Sequence, residues 1–223
     1  MKLKHYIYLS AVALVGFTSC SDSFLDHNPD ERVEIDNPTK VVQLLNSAYP
    51  DCNPSWLGEI YSDNLIDNQS PHYPSNPNDK QILAHYNYAQ YSLEDNQSWK
   101  FEPATQATYS SYDSPGMLWG GYYNSIAYCN FALDAIQKLA QKDSLTEQMR
   151  AARGEAELLR AYDHFMLVNY FSTAYRGEAS KKDIGVPYVT ETENVVNKQY
   201  DRGNVYDTYE KIEKDLQAGL ADI

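Results

Sequence analysis

Two kinds of chemistry stand out among the side chains. One is a thiol set for lipidation. Phe17-Thr18-Ser19 precedes Cys20, small residues suit a signal peptidase just before its cut, and a cysteine at the new N-terminus can carry lipid through its sulfur. The other is ring stacking joined to hydrogen bonding. Between residues 51 and 117, Trp56, Tyr61, Tyr73, Tyr86, Tyr88, Tyr91 and Trp99 interleave with Asn, Gln and Asp. A sugar ring has apolar C–H faces and many hydroxyls, so flat aromatics beside amides and carboxylates are what hold one.

Catalytic patterns are lacking. The chain has no Gly-x-Ser-x-Gly, phosphate loop or dinucleotide fingerprint. After Cys20 the histidines are His27, His72, His85 and His164, and none has the spacing of a transition-metal site. The acid-rich loops contain no recognisable calcium loop. We therefore expect no metal and no cofactor. Carboxylates are numerous, so a glycosidase pair stays open at this level.

The elements that would position these groups follow from periodicity. Met1 to His5 is basic, and Tyr6 to Phe17 is a nearly unbroken apolar run, long enough for a signal peptide and too short to span a bilayer. Residues 1–19 read as a lipoprotein signal, with Phe17 where leucine is usual, and residues 20–36 as a tether. The remaining domain is 37–223. Asn37-Pro38 opens a helix whose apolar face is Val41, Leu44, Leu45 and Ala48; Pro50 and Asn53-Pro54 end it. Residues 51–117 hold six of the ten prolines, and nine acids against Lys80 and Lys100. Disordered segments are poor in aromatics, so this reads as an ordered, loop-rich excursion with short helical turns.

From Leu118 the pattern turns helical. Trp119, Tyr123, Ile126, Asn130, Leu133 and Ile136 predict one stripe. Met149, Ala152, Ala156, Leu159, Tyr162, Phe165, Met166 and Tyr170 predict a second, antiparallel to the first. After a loop with Gly177, Gly185 and Pro187, Val205, Tyr209, Ile212, Leu216 and Leu220 predict a third, starting near Asn204. Glu155 and Arg160, charged among apolar residues, are expected to form a structural ion pair or solvated charges rather than a ligand contact.

Composition narrows the partners. Loss of residues 1–19 would lower the formal net charge of −13 by a further two. Such a charge repels nucleic acid and anionic lipid, so contact with a membrane would be through the lipid anchor alone. Cys52 and Cys129 remain; a single disulfide and two free thiols are both open.

Five segments in order resemble the SusD/RagB family of Bacteroidetes surface lipoproteins: Cys20 with Phe24-Leu25-Asp26 and Pro29; Trp119-x-x-Tyr-Tyr-x-x-Ile126-x-x-x-Asn130; Arg153 to Ala161 with the apolar run Phe165 to Phe171; Gly185-Val186-Pro187; and Arg202 to Leu216. Ser172 stands where glycine is common. The resemblance implies an all-α, tetratricopeptide-like helical scaffold with long irregular loops, here incomplete at the C-terminus because family members are longer. It implies a non-enzymatic lipoprotein of the outer membrane, facing the exterior. Such a protein binds oligosaccharides or other nutrients and passes them to a SusC-like TonB-dependent transporter.

In the family the N-terminal part of the ligand face comes from the loop-rich stretch. Trp99 with Asp95, Asn96 and Gln97 is thus the first expected ligand contact. Asp63 and Asn64 come second, with Tyr86, Tyr88 and Tyr91 as further platforms. Trp56 and Trp119 are expected in the core. Two other functions compete: a surface glycoside hydrolase, and a helical-repeat adaptor that binds protein only.

Overall fold

A computed structural model describes residues 35–60, 62, 114–193, 195 and 198–223. Among these, the elements are helices α1 (Pro38–Asn46), α2 (Ser55–Ile60), α3 (Pro115–Ala140), α4 (Glu147–Phe171) and α5 (Val205–Leu220), with a 3-10 turn at Gly177–Lys182. The described residues belong to one compact unit, Ile35–Ile223.

Each long helix starts where the sequence supplies an oxygen for an orphan N–H. The side chains of Asn37, Ser114, Thr146 and Asn204 accept from the amides of Lys40, Met117, Met149 and Asp207, at 3.0, 3.3, 3.2 and 2.8 Å. Proline follows the cap in α1 and α3, where its missing N–H costs nothing. The α3 start is three residues earlier than expected, because Ser114-Pro115 works as Asn37-Pro38 does. At the far end of α4 the Phe171 carbonyl accepts from Arg202 Nη2 at 2.9 Å.

Helices α3 and α4 form the expected antiparallel hairpin, and its two ends fill two cores. In one, Val41 and Leu45 of α1 meet Cys129, Ala132 and Ile136 of α3 and Met149, Ala152 and Ala156 of α4. In the other, Leu118, Tyr122 and Ile126 of α3 meet Leu167 and Val168 of α4, Leu57 of α2, Val186, and Val205 and Ile212 of α5. The α4–α5 crossing is close because both helices carry glycine there. A Cβ on Gly154 would sit 2.8 Å from the Gly219 carbonyl oxygen.

The buried faces differ from the expected stripes. In α3 the fully buried positions include Leu118, Tyr122, Ser125 and Cys129, while Trp119, Tyr123 and Leu133 lie at the flank. In α4, Tyr162 and Phe165 are 49% and 41% exposed, and Arg160, Asp163 and His164 are buried instead. Helix α4 packs against α3 on one side and α5 on another, so its buried band is wider than one stripe. In α5, Val205 and Ile212 are buried, while Leu216 and Leu220 are exposed. Trp119 packs half-buried against Tyr123 and Phe171, each ring centroid 5.0 Å away. Among the described residues, Cys52 and Cys129 are free thiols, Cys129 buried and Cys52 half-buried.

Candidate functional site

The largest polar constellation in the described residues lies where α3, α4, α5 and the segment after the 3-10 turn converge. Arg160 of α4 grips Asp215 of α5 through Nε and Nη2, both at 2.8 Å. Its Nη1 donates to Asn130 Oδ1 of α3 at 2.9 Å. Asn130 Nδ2 in turn donates to the Val189 carbonyl at 3.1 Å. The Tyr188 hydroxyl donates to Asp215 Oδ2 at 2.7 Å. Burial works against the Arg160 charge, but the hydrogen bond and charge of Asp215 outweigh it and hold the guanidinium firmly protonated.

His164 closes the set. Its Nδ1 lies 2.8 Å from the Arg160 carbonyl, and Nε2 accepts from the Val189 amide at 3.0 Å, so Nδ1 carries the hydrogen. Its ring stacks on Tyr188 at 3.8 Å. Burial, aided by the Arg160 charge, lowers its pKa to about 4, so the imidazole is neutral. The loop of residues 183–191 is thereby strapped to the helices; Tyr123 adds a hydroxyl bond of 2.8 Å to the Pro187 carbonyl. Gly185 lets this strap meet the α5 start, since a Cβ there would lie 2.7 Å from the Asn204 backbone.

A second buried group faces α3 from α4. Asp163 takes the Ser125 hydroxyl on Oδ2, and its Oδ1 has no hydrogen-bond partner. Burial pushes its pKa up to about 8, against a small opposing effect of Ser125. Toward the C-terminal end of α5, Arg153 pairs with Asp222, Nη2 to Oδ1 at 2.7 Å. These groups are structural in geometry: each polar set joins helices to one another or to the strap, as expected for Arg160. Glu155 instead accepts from the exposed Tyr49 hydroxyl at 2.8 Å. Among the described residues no group of three His, Cys, Asp or Glu could hold a metal, and no helix is long and apolar enough to cross a membrane.

Rings, by contrast, gather at the surface near the α5 start. Phe165 of α4 meets Tyr209 of α5 edge-on at 6.2 Å. Tyr209 meets Tyr175 of the loop after α4 at 4.7 Å, and Tyr175 stacks beside Tyr206 at 6.2 Å. The Lys181 ammonium lies 4.5 Å from the Tyr206 ring centre. Phe165 and Tyr175 are 41% and 44% exposed. The sequence places Phe165 and Tyr209 on apolar helix stripes, whereas Tyr175 carries no such signal.

The expected ligand contacts Trp99, Asp95, Asn96, Gln97, Asp63, Asn64, Tyr86, Tyr88 and Tyr91, and the lipidation residue Cys20, all lie outside the described residues. The sequence does not mark Asp163 or Tyr188, nor join His164 and Asp215 into one polar set. Their signal was available in part: Asn130 on an apolar stripe, and Asp163-His164 between apolar helix positions, are polar residues that need partners.

Helix pairs joined by a strapped loop define a helical-repeat scaffold protein. The chain belongs to the SusD-like family described as starch-binding and associating with the outer membrane, whose sequence profile matches residues 23–222. The fold is similar to the crystal structure of a SusD superfamily protein from Bacteroides thetaiotaomicron, with a TM-score of 0.59 and 16% identity. That match covers 84% of this chain and 37% of the other, so this chain spans little more than a third of that relative's length. No curated protein matches. Among the described residues the scaffold is thus all-α and tetratricopeptide-like, as the resemblance implied.

Proposed function

We propose that this protein captures glycans or other nutrients at the cell surface and delivers them to a SusC-like TonB-dependent transporter without cleaving them. The observation that carries the reading is the family match across residues 23–222, whose family description joins starch binding to the outer membrane. In this reading residues 1–19 direct export, Cys20 carries the lipid, and 20–36 tether the domain to the membrane, facing the exterior. The helices hold the loop-rich 51–117 stretch, where Trp99 stacks on a sugar ring. Asp95, Asn96 and Gln97 take its hydroxyls, and Asp63, Asn64, Tyr86, Tyr88 and Tyr91 extend the surface.

The chemistry fits capture better than turnover. A stacking platform with amides binds a neutral polyol without activating water. The test is retention of the full-length mature protein on native gels cast with a panel of polysaccharides, with reducing ends assayed in parallel. Retention without release of reducing ends is expected, as is co-purification of a barrel transporter from membranes. Release of reducing ends would make the protein a glycosidase. Transporter co-purification with no retention on any glycan would make it a protein-binding adaptor.

A further inference from the structure

We infer that the row Phe165–Tyr209–Tyr175–Tyr206 is an additional contact surface for a chain of neutral sugar units, beyond the contacts proposed at Trp99. The inference rests on the capture function proposed above and adds to it a site for extended polymers.

Three features carry it. First, the rings come from α4, α5 and the loop between them, yet form one continuous row with steps of 6.2, 4.7 and 6.2 Å. Aromatic side chains that merely filled a gap would be covered, whereas Phe165 and Tyr175 keep about two-fifths of their surface in water. Second, the rings are held in place. The Tyr209 hydroxyl reaches Asn169 Oδ1 at 3.4 Å, and Tyr175 lies against both Tyr206 and Tyr209. Rigid rings lose little entropy when a ligand stacks on them. Third, the rim is polar and supplies both donors and acceptors. Asn169 is exposed, and Lys181 pairs with Glu178 at 2.7 Å beside the Tyr206 ring.

The ligand class follows from these groups. The apolar part of the row is entirely aromatic, and three of its four rings end in a hydroxyl, which matches alternating C–H faces and hydroxyls. Lys181 is engaged with Glu178, and Arg176 in the same loop with Asp183 at 2.8 Å. With these cations committed to carboxylates, the row favours neutral sugars over sulfated or phosphorylated ones. A row several rings long also suits several consecutive units. A polymer that spans several rings of this row would bind more tightly than a trisaccharide that reaches only one or two.

The experiment uses the full-length mature protein with the polysaccharide that retains it among amylopectin, inulin and xylan, and a trisaccharide of the same linkage. Hydroxyl-radical footprinting should oxidise Tyr175 and Phe165 in the free protein, and the polymer should protect both. Tyr175→Ala with Tyr209→Ala should weaken polymer binding by roughly tenfold or more, and trisaccharide binding by less. Should the double variant melt early, Tyr175→Ala alone carries the test, because Tyr175 lies in a loop outside the helices. An unreactive Tyr175 in the free protein would show the row to be covered and overturn the inference. So would polymer binding at wild-type strength in the variants, including the case where they lose only a co-purifying protein. Failure of the wild-type protein to bind any glycan would sink the capture reading itself, and the inference with it.

Discussion

Asp163→Asn should flatten the alkaline side of the stability profile. Asp163 is fully buried between α3 and α4, with one oxygen on Ser125 and the other without a partner. Its pKa is about 8 in the fold against 3.8 ordinarily, so between those values the folded state holds a proton that the unfolded chain has released. Stability from this group is therefore complete below the unfolded pKa and is lost as pH rises through about 8, at ~1.4 kcal/mol per pH unit. His164 acts in the opposite sense. Its pKa falls from 6.5 to about 4, so the unfolded chain gains a proton first, and stability is lost as pH drops across that window. The two slopes oppose each other between about pH 4 and 6.5, and above 6.5 only the Asp163 slope of the two remains. From pH 6.5 to 8.5 it should cost about 2 kcal/mol. Asparagine keeps the shape and an oxygen for Ser125 but cannot ionise. Urea unfolding of both proteins at several pH values across that interval is the assay. The wild type should lose about 2 kcal/mol and the variant less than ~0.5 kcal/mol. An equally steep decline in the variant would refute the assignment of the proton to Asp163.

Three further outcomes are expected. Gly154→Ala should lower the thermal midpoint by several degrees, because overpacking against the Gly219 carbonyl costs ~1–3 kcal/mol and outweighs alanine's helix preference; an unchanged midpoint would mean that α4 and α5 can separate freely. Arg160→Met should cost ~3–5 kcal/mol by leaving Asp215 buried without its cation, and adding Asp215→Leu should recover much of that loss; simple additivity in a denaturant cycle would show that the pair is not coupled. Thr146→Ala should cost about 1 kcal/mol by removing the cap on the Met149 amide, read by the same unfolding assay.

How much could be read from the sequence depended on how local the cause was. Caps are local, and Asn37-Pro38 and Asn204 mark true helix starts. Ser114-Pro115 has the same grammar but was absorbed into the proline-rich excursion. Faces depend on neighbours. Helix α4 touches two helices and the strap, so Arg160, Asp163 and His164 turn inward onto partners that come from distant parts of the chain. A one-stripe reading put Tyr162 and Phe165 there instead, because ring size marks them as core while only packing decides exposure. The family was legible because its motifs coincide with these packing points: Arg160 and Asp215 form the buried pair, and Gly185 sits where a Cβ would clash.

Glycan capture through the Trp99 stretch is the proposed function. Calorimetric titration of the full-length mature protein with oligosaccharides from a retained glycan tests it most directly. Saturable binding is expected, weakened by roughly tenfold or more in Trp99→Ala, as loss of a stacking platform entails. Saturable binding unchanged in that variant would remove Trp99 from the site, and no saturable binding of any glycan by the wild type would rule out glycan capture.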